Sequence, residues 1–291
     1  MSKAIHIVTI SCADLSRSVQ AYQDYLHYRQ CYNGQVSAQQ AGLWQCPRLV
    51  GAAQALLQPG NGSEHYLRLV QQPAAGGYRA FADYGWNAIE ILVRDVDSLA
   101  GELAGSPFRI EGPPADLSFT DKIRAMQVTG MAQEVLYLTE IKDAVAGFEL
   151  PFAKDPVEHC FVMILGAADI RQTQQFYRQQ FALAETPVID ARVTVMSAAF
   201  DLQRDHLHPI TALNLSAGYL LEIDQMPAAA TPRQVEKGWL PPGIAMVTFA
   251  VDDLVASDPH TLDIPPYNNK PAALVRGPNG ELVELLQHGV A

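Results

Sequence analysis

Along the chain the apolar positions change period in a fixed order: alternate residues first, then every third or fourth, then alternate residues again. From Ile5 the stretch IHIVTISCADLSRSVQAYQDYLHYRQCY opens with an apolar strand and places Asp14 at a helix N-cap. Leu15, Val19, Tyr22 and Leu26 then follow at helical spacing. The same order returns from Glu158 in EHCFVMILGAADIRQTQQFYRQQFAL, with Asp169 as the cap and Ile170, Thr173, Tyr177 and Phe181 on the inner face. Asp14 and Asp169 are 155 positions apart, and superposing them aligns Leu15 with Ile170, Tyr22 with Tyr177 and Leu26 with Phe181. A match in register over that length predicts an internal duplication.

Each half holds a second unit of the same kind. WNAIEILVRDVDSLAGEL from Trp86 and IAMVTFAVDDLVASDPHTL from Ile244 run an alternating strand into an acidic helix start. These units close in GMAQEVLYLTEI from Gly130 and GPNGELVELLQH from Gly277, each a turn leading to a final strand. The odd units end likewise, in HYLRLVQQ from His65 and GYLLEIDQ from Gly218. The fourth unit is the shorter: Val93 to Gly130 spans 37 positions but Val251 to Gly277 only 26, and Pro259, Pro265 and Pro266 interrupt its helical stretch, so its helix is expected to be stunted. GFELPFAKDPV from Gly147 lacks a period, which puts the boundary between halves near residues 150 to 156.

Composition narrows the function classes. A length of 291 residues with 48% hydrophobic residues suits two domains, and no apolar run reaches the roughly 20 residues of a membrane span. The opening MSKAIHIVTI breaks its apolar stretch with His6 and Thr9, which is strand patterning rather than an export signal. Cys12, Cys31, Cys46 and Cys160 are scattered without a CxxC pair, so they read as buried thiols of a cytoplasmic protein. A net charge of −11 without clustered Lys and Arg disfavours nucleic acid. No nucleophile elbow, phosphate-binding loop or dinucleotide fingerprint occurs.

The four strand-helix-strands modules, the acidic caps after a first strand and the Gly-Pro-Asn-Gly-Glu turn before a last strand resemble the vicinal oxygen chelate superfamily. That superfamily includes glyoxalases, bleomycin-resistance proteins and extradiol ring-cleavage dioxygenases. The resemblance covers nearly the whole chain. It implies an α+β fold of four βαβββ modules in two tandem glyoxalase-like domains, residues 1–150 and 151–291, each with a curled mixed sheet enclosing a cup. In such a cup a divalent metal chelates vicinal oxygens of a substrate.

The resemblance also says where metal ligands would stand: early in a module's first strand and at the centre of its last. The last-strand positions are Arg68, Tyr137, Glu222 and Glu284, and the first-strand positions are Ile7, Ala88, Cys160 and Met246. Alanine and a thioether cannot hold a hard ion. His6 and His159 fall one residue away and would face outward unless a bulge near Cys12 or Gly166 restores the register. The expected metal set is therefore His159, Glu222 and Glu284, suited to iron, manganese, nickel or zinc as a Lewis acid. Against it stands an ordinary strand histidine with two hydrogen-bonded or solvated glutamates.

Tyr137 is the candidate catalytic residue, as an acid or hydrogen-bond donor, with plain cup lining as the other reading. His206 and His208 read as loop histidines rather than a chelating pair. Trp44, Trp86, Phe119, Tyr219, Trp239 and Tyr267 are core residues of which two or three could wall a ligand. PYNNKP from Pro266 reads as a turn. Two functions follow: a glyoxalase-like or dioxygenase-like protein, monomeric or homodimeric, holding a small aromatic or oxygen-rich molecule, or a metal-free protein that sequesters a drug or metabolite.

Overall fold

A computed structural model describes residues 3–147, 149–216, 218–254 and 258–288. Module one comprises β1 (Lys3–Cys12), α1 (Leu15–Leu26), β2 (Arg29–Gln35), α2 (Ala38–Leu43), β3 (Ala53–Gln58) and β4 (Tyr66–Gln71). Module two has β5 (Gly85–Val93), α3 (Val96–Leu103), β6 (Arg109–Leu117), β7 (Thr120–Thr129) and β8 (Val135–Ile141). Module three has β9 (Val157–Ala167), α4 (Ile170–Phe181), β10 (Ile189–Arg192), α5 (Thr194–Ala199), β11 (Leu207–Ser216) and β12 (Tyr219–Gln225). Module four has β13 (Gly243–Val251), β14 (His260–Thr261), β15 (Pro271–Arg276) and β16 (Leu282–Gln287), and no helix among its described residues. Val255, Ala256 and Ser257, in the middle of its expected helix, lie outside the described residues. No described helix is long and apolar enough to cross a membrane.

The helix starts are those the sequence predicts. The Asp14 carboxylate accepts from the Arg17 amide at 3.0 Å, and Asp169 from the Arg171 and Gln172 amides at 2.9 and 3.0 Å. Such a cap satisfies amides that have no partner inside the helix, worth about 1 kcal/mol each. Asp95 repeats the arrangement on α3, accepting from Ser98.

The α+β fold class of four modules is observed, in two eight-stranded mixed sheets. Within each module the first strand runs parallel to the last, as β1 with β4 and β13 with β16. Between modules, β1 pairs antiparallel with β13 and β5 with β9. One sheet therefore joins modules one and four, and the other joins modules two and three. The sequence boundary near residue 150 falls between β8 and β9, and each sheet draws strands from both sides of it.

The halves are tied in a second way, which explains the matched tyrosines. Tyr22 on α1 donates to Glu134 at 2.9 Å, and Tyr177 on α4 donates to Glu281 at 2.9 Å. Both acceptors belong to the turns opening the last strands of modules two and four. Gly130 and Gly277 leave room for these carboxylates: an added Cβ would lie 2.1 Å from Glu134 Oε1 or 1.9 Å from Glu281 Oε1. Helix-to-turn contacts thus link modules one with two and three with four, while the sheets link one with four and two with three. A shared apolar core contains Ile10, Leu26, Trp86, Leu136, Leu165, Tyr177 and Phe249, drawn from all four modules.

Candidate functional sites in two cups

The parallel registers decide which side chains face each cup. Thr9 stands beside Arg68, Glu90 beside Tyr137, Ile164 beside Glu222 and Thr248 beside Glu284. Neighbours in register share a sheet face, so the four inward positions are Thr9, Arg68, Thr248 and Glu284 in one cup and Ile164, Glu222, Glu90 and Tyr137 in the other. In each first strand the inward partner lies two residues beyond the position expected in module one, two or four, and four beyond Cys160 in module three.

The cup of modules one and four is filled by its own side chains. Glu284 is fully buried and accepts from Trp44 Nε1 at 2.9 Å, the Tyr267 hydroxyl at 2.7 Å and the Thr248 hydroxyl at 2.6 Å. The Arg68 guanidinium, also fully buried, stands 3.6 Å from Glu284. Its charge lies 4.9 Å from the centre of the Trp44 ring and 5.1 Å from that of Tyr267, an arrangement in which aromatic faces attract a desolvated cation. Arg68 also reaches the Thr9 hydroxyl at 3.5 Å, while Nε and Nη2 have no hydrogen-bond partner. Around these lie Leu43, Leu49, Met246, Leu282 and Leu286, all buried.

The cup of modules two and three is open. A cavity of about 330 Å³ has Ile123, Phe161, Val162 and Leu220 among its apolar walls, with Glu90 and Glu222 on its surface. Glu90 accepts from the Thr139 hydroxyl at 2.7 Å, yet loss of water raises its pKa to about 8. Glu222 and Asp224 lie two apart on β12, on one face and within hydrogen-bonding reach of each other. Both Asp224 oxygens lack an N–H or hydroxyl donor, so a proton on Glu222 is what can serve them. Burial and the neighbouring carboxylate hold Glu222 well above the usual range, and burial lifts Asp224 to about 7. Burial and then Asp224, Glu222 and Glu90 push the Tyr137 phenol up. Its ring packs on Phe81, with centroids 6.5 Å apart.

The expected metal set is not assembled. Glu284 is in the sheet of modules one and four, and Glu222 is in the other. His159 stacks on His65 at 4.4 Å and lies tilted to Tyr219 at 5.6 Å, beside Cys160 of the shared core and away from both cups. The other off-register histidine, His6, falls at the irregularity between Ile5 and Ile7, with His288 at 4.9 Å and Tyr66 at 5.4 Å. His208 is no loop residue: it lies on β11, 2% exposed, bonded to Ser197 Oγ of α5 at 2.9 Å, and so fixes that helix at the open cup. Trp44 and Tyr267 wall the filled cup, whereas Phe119 is 66% exposed at the rim of the open one. Asn268 and Asn269 both take left-handed backbone, consistent with a turn.

No protein-family model matches the sequence, and no curated protein matches it. Solved structures do. Glyoxalase I of Zea mays superposes with a TM-score of 0.64 at 16% identity, covering 98% of this chain and 92% of that one. A single-substitution variant of that maize enzyme gives 0.66 at 15% identity, covering 98% and 94%. A Bacillus subtilis protein classed provisionally as a dioxygenase gives 0.62 at 10% identity, covering 99% and 86%.

The chain has the vicinal oxygen chelate fold.

The resemblance read from the sequence implies a divalent metal in a cup, and the residues present can be tested against it. The filled cup does not fit: a guanidinium already provides the positive charge opposite Glu284, and a second cation beside it would be repelled. The open cup offers, among the described residues, the Glu90 and Glu222 carboxyls, threonine hydroxyls and the Asn214 amide, without imidazole. Among the described residues no three His, Cys, Asp or Glu side chains converge as a metal site. Sequence reading missed Glu90 and Asp224, although each is an acidic residue inside an apolar strand, in NAIEILV and YLLEIDQ. Such an interruption is the signal that could have found them.

Proposed function

We propose that the chain binds one small, mainly apolar molecule in the cup of modules two and three, without a metal. The observation that carries this reading is the 330 Å³ cavity with Glu90 and Glu222 on its wall, set against the filled space of the other cup. Near neutral pH both carboxyls hold their protons, and a neutral carboxyl donates a hydrogen bond. They suit a ligand bearing a carbonyl, ether or phenolic oxygen on an aromatic or aliphatic body. Of the two functions the sequence left open, this favours the binding protein; an enzyme using Glu90, Glu222 or Tyr137 to place a proton would use the same pocket.

The test is titration with N-phenyl-1-naphthylamine, an uncharged aromatic probe that fluoresces in apolar surroundings. One saturable site per chain is expected. Ala212→Trp, on the cavity wall opposite Glu222 in register, should weaken binding at least about tenfold by filling the pocket. Undiminished binding to this variant would overturn the assignment of the cup. One equivalent of iron, manganese, nickel or zinc in the purified protein, lost in Glu222→Gln, would overturn its metal-free character.

A further inference from the structure

We propose that the ligand of the open cup carries an anionic group, of the carboxylate, sulfonate or phosphate class, held by Arg79 and Arg204. This deepens the proposed function and rests on it. A second cavity, of about 540 Å³, lies against Phe81, the residue on which Tyr137 packs, and Arg79, Arg109 and Arg204 stand on its walls. A third, of about 550 Å³, shares Thr194 and Arg204 with the second and Leu117 and Phe119 with the first. Neighbouring cavities thus share walls across modules two and three, the first mainly apolar with Glu90 and Glu222 on its surface and the second carrying the guanidinium groups.

The charge of the whole chain makes these arginines notable. With 20 Lys and Arg against 31 Asp and Glu, an average patch of this surface is negative, yet Arg79, Arg109, Arg192 and Arg204 line the second and third cavities against Glu111, Asp116 and Asp205. Arg109 is neutralised by its ion pair with Glu111, whose carboxylate also accepts from the Thr129 hydroxyl at 2.6 Å. Arg79 and Arg204 form no ion pair with a described residue. Two uncommitted guanidiniums on cavities that share walls in turn with the apolar chamber match an amphipathic anion, whose head takes charge-assisted hydrogen bonds while its body extends toward the chamber. Long-range repulsion of anions by the net charge is offset only where such groups concentrate positive potential.

A matched pair of probes tests this. 1-Anilinonaphthalene-8-sulfonate carries the aromatic body of N-phenyl-1-naphthylamine plus one sulfonate. The sulfonate probe should bind at least about tenfold tighter than the uncharged one, and the Arg79→Gln/Arg204→Gln double variant should erase that advantage. Binding of the uncharged probe should not change in the double variant, which also shows that the variant folds. Equal affinities in the wild type, or an advantage that survives in the double variant, overturn the anion site. Failure of Ala212→Trp to weaken either probe overturns the underlying cup assignment instead, so the two failures are distinguishable.

Discussion

The two cups share a scaffold and differ in how they settle charge. Between modules one and four, Glu284 faces Arg68 and receives three hydrogen bonds in a packed interior. Between modules two and three, the equivalent positions bring Glu222 and Tyr137 together with Glu90, and no Lys or Arg stands among the described residues that line the cavity. There the carboxyls keep protons and a cavity remains. The contrast teaches that a duplicated fold can spend one copy on stability and leave the other available for a ligand. One basic residue at position 68 accounts for much of the difference.

Removing that residue should give the largest effect. Arg68→Met leaves Glu284 as an uncompensated buried charge and should lower the free energy of unfolding by about 3–5 kcal/mol in urea titrations. Glu284→Gln added to it should restore part of the loss. In the open cup the corresponding change, Glu222→Gln, relieves a carboxyl pair and should be neutral or stabilising at pH 8. Equal losses in both cups would break the comparison.

The pH profile sharpens it. Glu90 and Asp224 titrate near 8 and 7 when folded, against roughly 4 when unfolded, so the unfolded state ionises first and stability declines as pH rises through that window. Histidines at the meeting of the sheets act oppositely. Burial first, then His288 beside His6 and His159 beside His65, lowers both to about 3, so below roughly pH 6.5 the unfolded chain binds protons that the folded one refuses. The melting temperature should therefore peak at roughly pH 5–6. Glu90→Gln should raise it by about 2–4 °C at pH 8 and leave the acid limb unchanged. A variant profile parallel to that of the wild type across pH 5–8 would contradict the carboxyl assignment.

The smallest expected effect separates paired tyrosines. Tyr267→Phe deletes a donor to the buried Glu284 carboxylate that faces Arg68 and should cost about 1.5–3 kcal/mol. Tyr137→Phe keeps the ring against Phe81 and should change stability by no more than about 0.5 kcal/mol. Unfolding titrations of the two variants check this directly.

Much of the fold was legible in the sequence, because modules, helix caps and turns are local patterns. Asp14, Asp169, Gly130 and Gly277 each do the local task their context suggests. The site was less legible. Arg68 and Glu284 meet only because module one pairs with module four, and no periodicity reports which strands lie side by side. His159 looked useful because it stands near the start of a first strand, but strand irregularities around β9 turn it toward His65. Counting from the caps stopped at Ala88 and Met246, whereas the registers align Glu90 and Thr248 with the last-strand residues.

The division between cups can be tested most directly by diffusing 1-bromonaphthalene into crystals of the protein and locating bromine by anomalous scattering. The predicted result is one strong peak in the cavity walled by Phe161, Val162 and Leu220, beside Glu90 and Glu222. A peak between Trp44 and Tyr267, or none in either cup, would contradict the account.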